Sequence, residues 1–348
     1  MTNYQSFFLV TAFIFLVIGL HVVCFSHDRQ YKKIKNYADA QMIASGSVHK
    51  IGSERIPPQF VVLFLHGFLG FNKFSGQDSW NEYAHKMVPG LDGLSYLVYH
   101  PGLIQTKDVQ SFAQDSDVYQ AKLHLSFLAD KVAQPKGSSV IGNYDISGLP
   151  ILCVGHSNGG STLISLLSEH HALAKKIKGA VLLAPYADLS AVSTIEKTGR
   201  LIGDVFARIG ARMLFAPSYN PFGSSPVLNV ALGKFPKELP LLIVSNRNDR
   251  VVSFKNRELL SRAFTSHEKY KNTVQFLDLD TGGHNWGWRR ISMPTVGFSM
   301  KKSTSTSVKP VVRITQKSHK YLTYLRYADR VQFKNTILSF IKKNIVDA

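Results

Sequence analysis

Gly155-His156-Ser157-Asn158-Gly159-Gly160 is the stretch in which residue types and spacing point most directly to chemistry. It lies between the apolar run ILCV and the helical stretch STLISLLSEHH. G-x-S-x-G in that context reads as a nucleophile elbow. The glycines permit a strained strand-to-helix turn that lifts the serine hydroxyl into a cleft and leaves room for neighbouring backbone. A serine so placed sits at a helix N-terminus, where main-chain N–H groups and the helix dipole favour developing negative charge. A phosphate-binding loop is the rival reading, but it requires a Lys-Ser/Thr ending that these residues lack.

An elbow needs a sheet to carry it. Continuous apolar runs, too short and too β-branched for helices, occur in QFVVLFLHGF after Pro57-Pro58 and in LSYLVYH (94–100). They recur in PILCVGH (150–156), GAVLLAP (179–185), PLLIVSN (240–246) and TVQFLDL (273–279). Such runs predict strands buried on both faces, as in a parallel sheet. Helical stretches are expected between them at about 78–89, 107–133, 158–172 and 253–267. The second has the clearest stripe: Val118, Ala121, Leu125, Leu128 and Val132 recur three and four residues apart. Alternation of this kind predicts an open, mostly parallel sheet with helices on both faces, and ligands at the carboxyl ends of its strands.

Over residues 57–348 the chain resembles the α/β-hydrolase superfamily. Beyond the elbow, the resemblance rests on His66-Gly67-Phe68-Leu69, Asp249 and His284. It implies an oxyanion hole formed by the backbone N–H groups of Phe68 and Asn158. It also implies a triad in the chain order this fold uses, Ser157 as nucleophile, Asp249 as acid and His284 as base. Asp249, in SNRNDRVVS, directly follows the apolar run PLLIV; the competing reading is a loop aspartate capping the helix that starts near Ser253. Asp278 and Asp280 are rival acids, expected on one polar face of a strand-like FLDLD. Gly282-Gly283 precedes His284 in TGGHNW and supplies flexible backbone to turn the imidazole over the sheet edge. His156, beside the nucleophile, is expected to pack rather than react. The resemblance requires no metal and no organic cofactor, and a serine nucleophile argues against the dehalogenase branch.

Two segments exceed the minimal fold. Residues 188–236 fall where the superfamily often carries a lid, and TIEKTGRLIGDVFARIGARML reads as an amphipathic helix that either walls an acyl-sized pocket or packs statically on the core. Residues 286–327 lie in a stretch with no acidic residue from Thr281 through Ala328, where nine Lys and Arg interleave with Trp286, Trp288, Phe298, Tyr321 and Tyr324. That composition suits an anionic membrane surface; nucleic acid is the weaker alternative, since no known binding motif is present, and an idle solvated loop is the third.

The chain has 348 residues, of which 45% are hydrophobic and 18% charged, and its formal charge is +18. This excludes a disordered chain. With two cysteines, Cys24 and Cys153, each inside an apolar run, a disulfide framework and a cysteine metal site are excluded as well. FFLVTAFIFLVIGLHVVCF (7–25) carries no formal charge and would span about 28 Å as a helix, close to the hydrocarbon thickness of a bilayer. It lacks the basic flank and the cleavage site of a signal peptide. The expected organisation is therefore a transmembrane anchor (1–25), a basic tether (26–56) and the hydrolase domain (57–348). Arg29, Lys32, Lys33 and Lys35 follow the anchor, which puts the domain on the cytoplasmic side of a single-pass protein. The chain has no Asn-x-Ser/Thr acceptor, which agrees with that face.

These features point to a membrane-anchored serine hydrolase acting on a small-molecule acyl ester or a lipid. The same parts would serve a thioesterase, an acyltransferase or a peptidase, and a binding protein that keeps the fold without catalysis is the alternative class.

Overall fold

The computed structural model describes residues 46–53, 55–67, 94–101, 114–188, 192, 225–284, 295–299, 311–315 and 326–347. Its centre is a seven-stranded sheet in the order β1-β3-β2-β6-β7-β8-β9. The strands are β1 (Ser47–Ile51), β2 (Val61–Leu65), β3 (Tyr96–His100), β6 (Ile151–His156), β7 (Gly179–Leu183), β8 (Leu241–Asn246) and β9 (Val274–Leu279). All neighbours run parallel except β1, which pairs antiparallel with β3, Ser47 opposite His100 and Ile51 opposite Tyr96. The sheet therefore begins inside the stretch expected to be a tether. β4 (Val140–Ile141) and β5 (Tyr144–Asp145) form a short hairpin beyond α1 (Gln114–Val132).

Alternation along the strands divides the core. Val61, Leu63 and Leu65 of β2 face α1, α2 (Asn158–Glu169) and α5 (Phe254–Thr265), packing with Leu125, Leu128, Leu163, Leu166, Leu260 and Phe264. Val62 and Phe64 face the other way, with Tyr96 and Val98, onto Phe333, Ile337, Phe340 and Ile341 of α6 (Tyr327–Ile341). α6 continues into a π-helical turn over Lys342–Val346. The stripe expected on the second helix is present: Val118, Ala121, Leu125 and Leu128 are buried in α1, and Val132 packs against the same core. Between β6 and β7, α2 stops at Glu169, and a separate short helix α3 (His171–Ala174) follows.

Of the stretch expected as a lid, the described part includes Asp188, Val192, which bridges to Val252, and α4 (Pro226–Ala231). α4 starts with Pro226 behind Ser225, whose hydroxyl accepts from the N–H of Leu228 at 3.2 Å. The amphipathic stretch 194–214 and the helix expected at 78–89 lie outside the described residues. Within the basic insertion, β10 (Thr295–Ser299) and β11 (Val311–Thr315) pair antiparallel, apart from the main sheet. The anchor segment 7–25 is also outside the described residues; among those described, no helix is long and apolar enough to cross a membrane.

Candidate active site

Ser157 follows the buried centre strand β6 and caps α2 with φ 52° and ψ −117°. Ser157 and Ala184, at the end of β7, are the two non-glycine residues with positive φ among those described. For a residue bearing a Cβ such a conformation costs about 1–3 kcal/mol and persists only where surrounding contacts over-determine it. Those contacts are on hand. The Ser157 N–H donates to Leu183 O at 2.8 Å, and the Ser157 carbonyl accepts from Gly160 and Ser161 at 3.0 and 3.2 Å. A Cβ on Gly159 would lie 2.2 Å from the Leu65 carbonyl oxygen, so the main chain of β2 and that of the elbow approach as only glycine permits.

Asp249 leaves β8 in a turn closed on the β8 carbonyl of Asn246, to which its N–H donates at 3.1 Å. Its two carboxylate oxygens do different work. Oδ1 accepts from the N–H groups of Val251 and Val252 at 2.8 and 2.9 Å, and Oδ2 accepts from His284 Nδ1 at 2.7 Å. The side chain thus organises the turn that leads into α5 without capping that helix, whose N-cap is Ser253, and it holds the His284 imidazole. Asp278 and Asp280 are otherwise engaged. Asp278 pairs with Arg257 at 2.8 Å, and Asp280 with Arg247 at 3.2 Å.

His284 arrives over Gly282 (φ 117°) and Gly283 (φ 59°), backbone that a Cβ would strain. The loop is tied down on two sides. Asn246 Nδ2 donates to Thr281 O, and Asn248 Nδ2 to Asp280 O. Thr281 Oγ1 donates to Asp329 of α6 and accepts from the N–H of Arg326 at 2.8 Å. His156 completes the holding: its Nε2 donates to His284 O at 3.1 Å, and the two rings lie 5.0 Å apart. Burial, reinforced by the neighbouring His284, pushes the His156 imidazole down to about 3, so at neutral pH it is an uncharged support. His66 is likewise pushed down to about 3 by burial, with Nδ1 donating to Gly67 O at 2.6 Å.

Phe68 lies outside the described residues. Gly67, the residue before it, abuts Ser157: a Cβ there would meet Ser157 Cβ at 3.1 Å and His156 Nδ1 at 2.9 Å. Asn158 begins α2. Its side-chain amide donates from Nδ2 to Asp117 Oδ2 at 2.7 Å and accepts at Oδ1 from the Tyr186 hydroxyl at 2.8 Å. Burial pushes the Asp117 carboxyl up to about 7, against a smaller pull in the other direction from the Asn158 hydrogen bond. Sequence reading missed both partners. Tyr186 could have been found, since it follows the run GAVLLAP, which pairs with the strand that leads into Ser157. Asp117, forty-one residues from Asn158 and near the start of α1, carries no local signal. Among the described residues, no cluster of His, Cys, Asp and Glu could hold a metal ion.

Neither a family model nor a curated protein matches the chain. Solved structures do. Carboxyl esterase 2 of the mycorrhizal fungus Tuber melanosporum is 18% identical and aligns with a TM-score of 0.52, covering 86% of this chain and 81% of its own. The chain has an α/β-hydrolase fold. An esterase of Pyrococcus furiosus is 14% identical, covers 89% of this chain and 95% of its own, and has a TM-score of 0.46. An esterase of Thermogutta terrifontis is 15% identical over 70% of this chain and 80% of its own, with a TM-score of 0.43. In the α/β-hydrolase frame of this chain, Ser157, His156 and Gly67 stand together at the carboxyl edge of the parallel strands, with the Asp249–His284 pair beside them.

Proposed function

We propose that the chain is a serine hydrolase of carboxylic esters that works through an acyl-serine intermediate. The observation that carries this reading is the pairing of a strained elbow serine with the 2.7 Å contact between Asp249 and His284, the imidazole lying against His156 next to the nucleophile. His284 takes the Ser157 proton as Ser157 Oγ attacks the acyl carbon, and Asp249 stabilises the resulting imidazolium. The N–H groups of Asn158 and Phe68 receive the oxyanion. Collapse expels the alcohol, which takes the proton from His284. Water, deprotonated by the same imidazole, then attacks the acyl-serine, and the acid is released as Ser157 Oγ leaves with the proton returned from His284. The apolar segment 7–25 anchors the enzyme as a single membrane span, with the hydrolase domain on the cytoplasmic side. The basic stretch 286–327 rests against anionic headgroups, which favours ester substrates that partition into the bilayer.

Labelling with a fluorophosphonate probe tests the catalytic part. The parent chain is expected to label stoichiometrically at Ser157 and Ser157→Ala not at all. Asp249→Asn and His284→Ala should label slower by a factor on the order of 10³ or more, the scale on which triad members act. A folded parent that fails to label would overturn the proposal.

A further inference from the structure

We propose that Asp117 is a positioning residue: together with Tyr186 it grips the side-chain amide of Asn158 and thereby keeps the Asn158 main-chain N–H aimed at the oxyanion. The inference deepens the serine-hydrolase reading and rests on it.

The Asn158 peptide follows Ser157, the residue whose backbone is strained. Any relaxation of that strain would rotate this peptide and its N–H first. A short polar side chain at a helix start ordinarily turns back to satisfy its own helix's free N–H groups. The Asn158 amide does not; it reaches across to two other elements. Nδ2 donates to Asp117 on α1 at 2.7 Å, and Oδ1 accepts from the Tyr186 hydroxyl beyond β7 at 2.8 Å. Tyr186 is itself locked to α2, its N–H donating to Ser161 Oγ at 2.9 Å and its carbonyl lying 2.8 Å from the same oxygen. With both ends of a planar amide held, turning the residue requires breaking two hydrogen bonds at once, one of them to a carboxyl group. Fixed donors aimed at developing charge are what an oxyanion hole consists of, so their orientation acts on turnover rather than on ground-state binding.

The test is steady-state hydrolysis of p-nitrophenyl acetate by the full chain and by Ser157→Ala, Asp117→Ala, Asp117→Asn, Tyr186→Phe, Asn158→Ala and the Asn158→Ala/Asp117→Ala double variant. Urea midpoints are taken for each. Asp117→Ala should lower kcat by about tenfold and leave KM within about twofold, because the lost interaction matters only once charge develops. Asp117→Asn, whose carbonyl oxygen still accepts from Asn158 Nδ2, should recover most of that loss. Tyr186→Phe should lower kcat in the same direction. In the Asn158→Ala background, removing Asp117 should cost less than about twofold more, since no amide is left to grip. An active parent with unchanged kcat in Asp117→Ala overturns the positioning role and leaves the hydrolase reading intact. So does a full tenfold loss repeated in the Asn158→Ala background. A parent no faster than Ser157→Ala overturns both readings. Should Asp117→Ala fail to fold, Tyr186→Phe decides alone: an unchanged kcat there rejects the clamp.

Discussion

At Ser157 the positive φ is held by the Leu183 carbonyl from one side and by the first turn of α2 from the other. The room for this turn comes from Gly159, where a Cβ would stand 2.2 Å from the Leu65 carbonyl oxygen, a main-chain atom of a central strand that cannot swing away. Gly159→Ala therefore forces β2 and α2 apart. The expected cost is about 2–3 kcal/mol of stability, in the range of overpacked cores. Fluorophosphonate labelling should fall with it, because the displaced turn carries the nucleophile. A urea titration read beside the labelling rate checks both, and a midpoint equal to the parent's would contradict the close approach.

Among the elements, α6 has two tasks. Its apolar side covers one face of the sheet through Phe333, Ile337, Phe340 and Ile341. Its N-terminal end fixes the loop that carries His284, through Asp329 and the Arg326 N–H on Thr281. Asp329→Ala weakens the second task, leaving the Arg326 N–H on Thr281, and spares the first. It should slow Ser157 labelling between about 10- and 100-fold, the scale of a misplaced reacting group, while shifting the urea midpoint little. Equal labelling rates would show that the Arg326, Asn246, Asn248 and His156 contacts suffice. The central strands were legible beforehand because each is buried on both faces and reads as an unbroken apolar run, and α1 because its stripe is regular. β1 was not: SVHKI is polar at three of five positions and joins the sheet by edge pairing, which composition does not announce. Ser157, Asp249 and His284 were named from the residues around them, and the structure brings Asp249 and His284 into contact. Thr281, Asp329, Asp117 and Tyr186 went unseen because their partners lie between 28 and 48 residues away and are chosen by packing.

On the scale of the molecule, the carboxyl edge of the sheet gathers neutral histidines. His66 follows β2, His100 ends β3 and His156 ends β6. Burial pushes His66 and His156 down to about 3 and His100 to about 4. The unfolded chain takes up these protons near 6.5, whereas the folded chain refuses them until about 4 or below, so the unfolded state binds more protons between those limits. Their contribution to stability is fully present above pH 6.5 and is lost as pH falls toward 4. Asp117 opposes it with a folded value raised from 3.8 to about 7, so its contribution is lost as pH rises across that range; one carboxyl stands against three imidazoles. The urea midpoint should therefore be lower at pH 5 than at pH 7, and an equal or higher midpoint at pH 5 would contradict the burial of these rings.

The spread of the site along the chain has a consequence for biosynthesis. A polypeptide leaves the ribosome from its N-terminus, and domains acquire structure in that direction. Ser157 emerges on the central strand, Asp249 follows two strands outward, and His284 comes after β9, the last strand of the sheet, in a loop tied to the closing helix. On the proposed mechanism a nascent chain thus displays its nucleophile before it owns a base. On that mechanism it stays chemically silent until the loop that carries His284 has emerged and docked against α6.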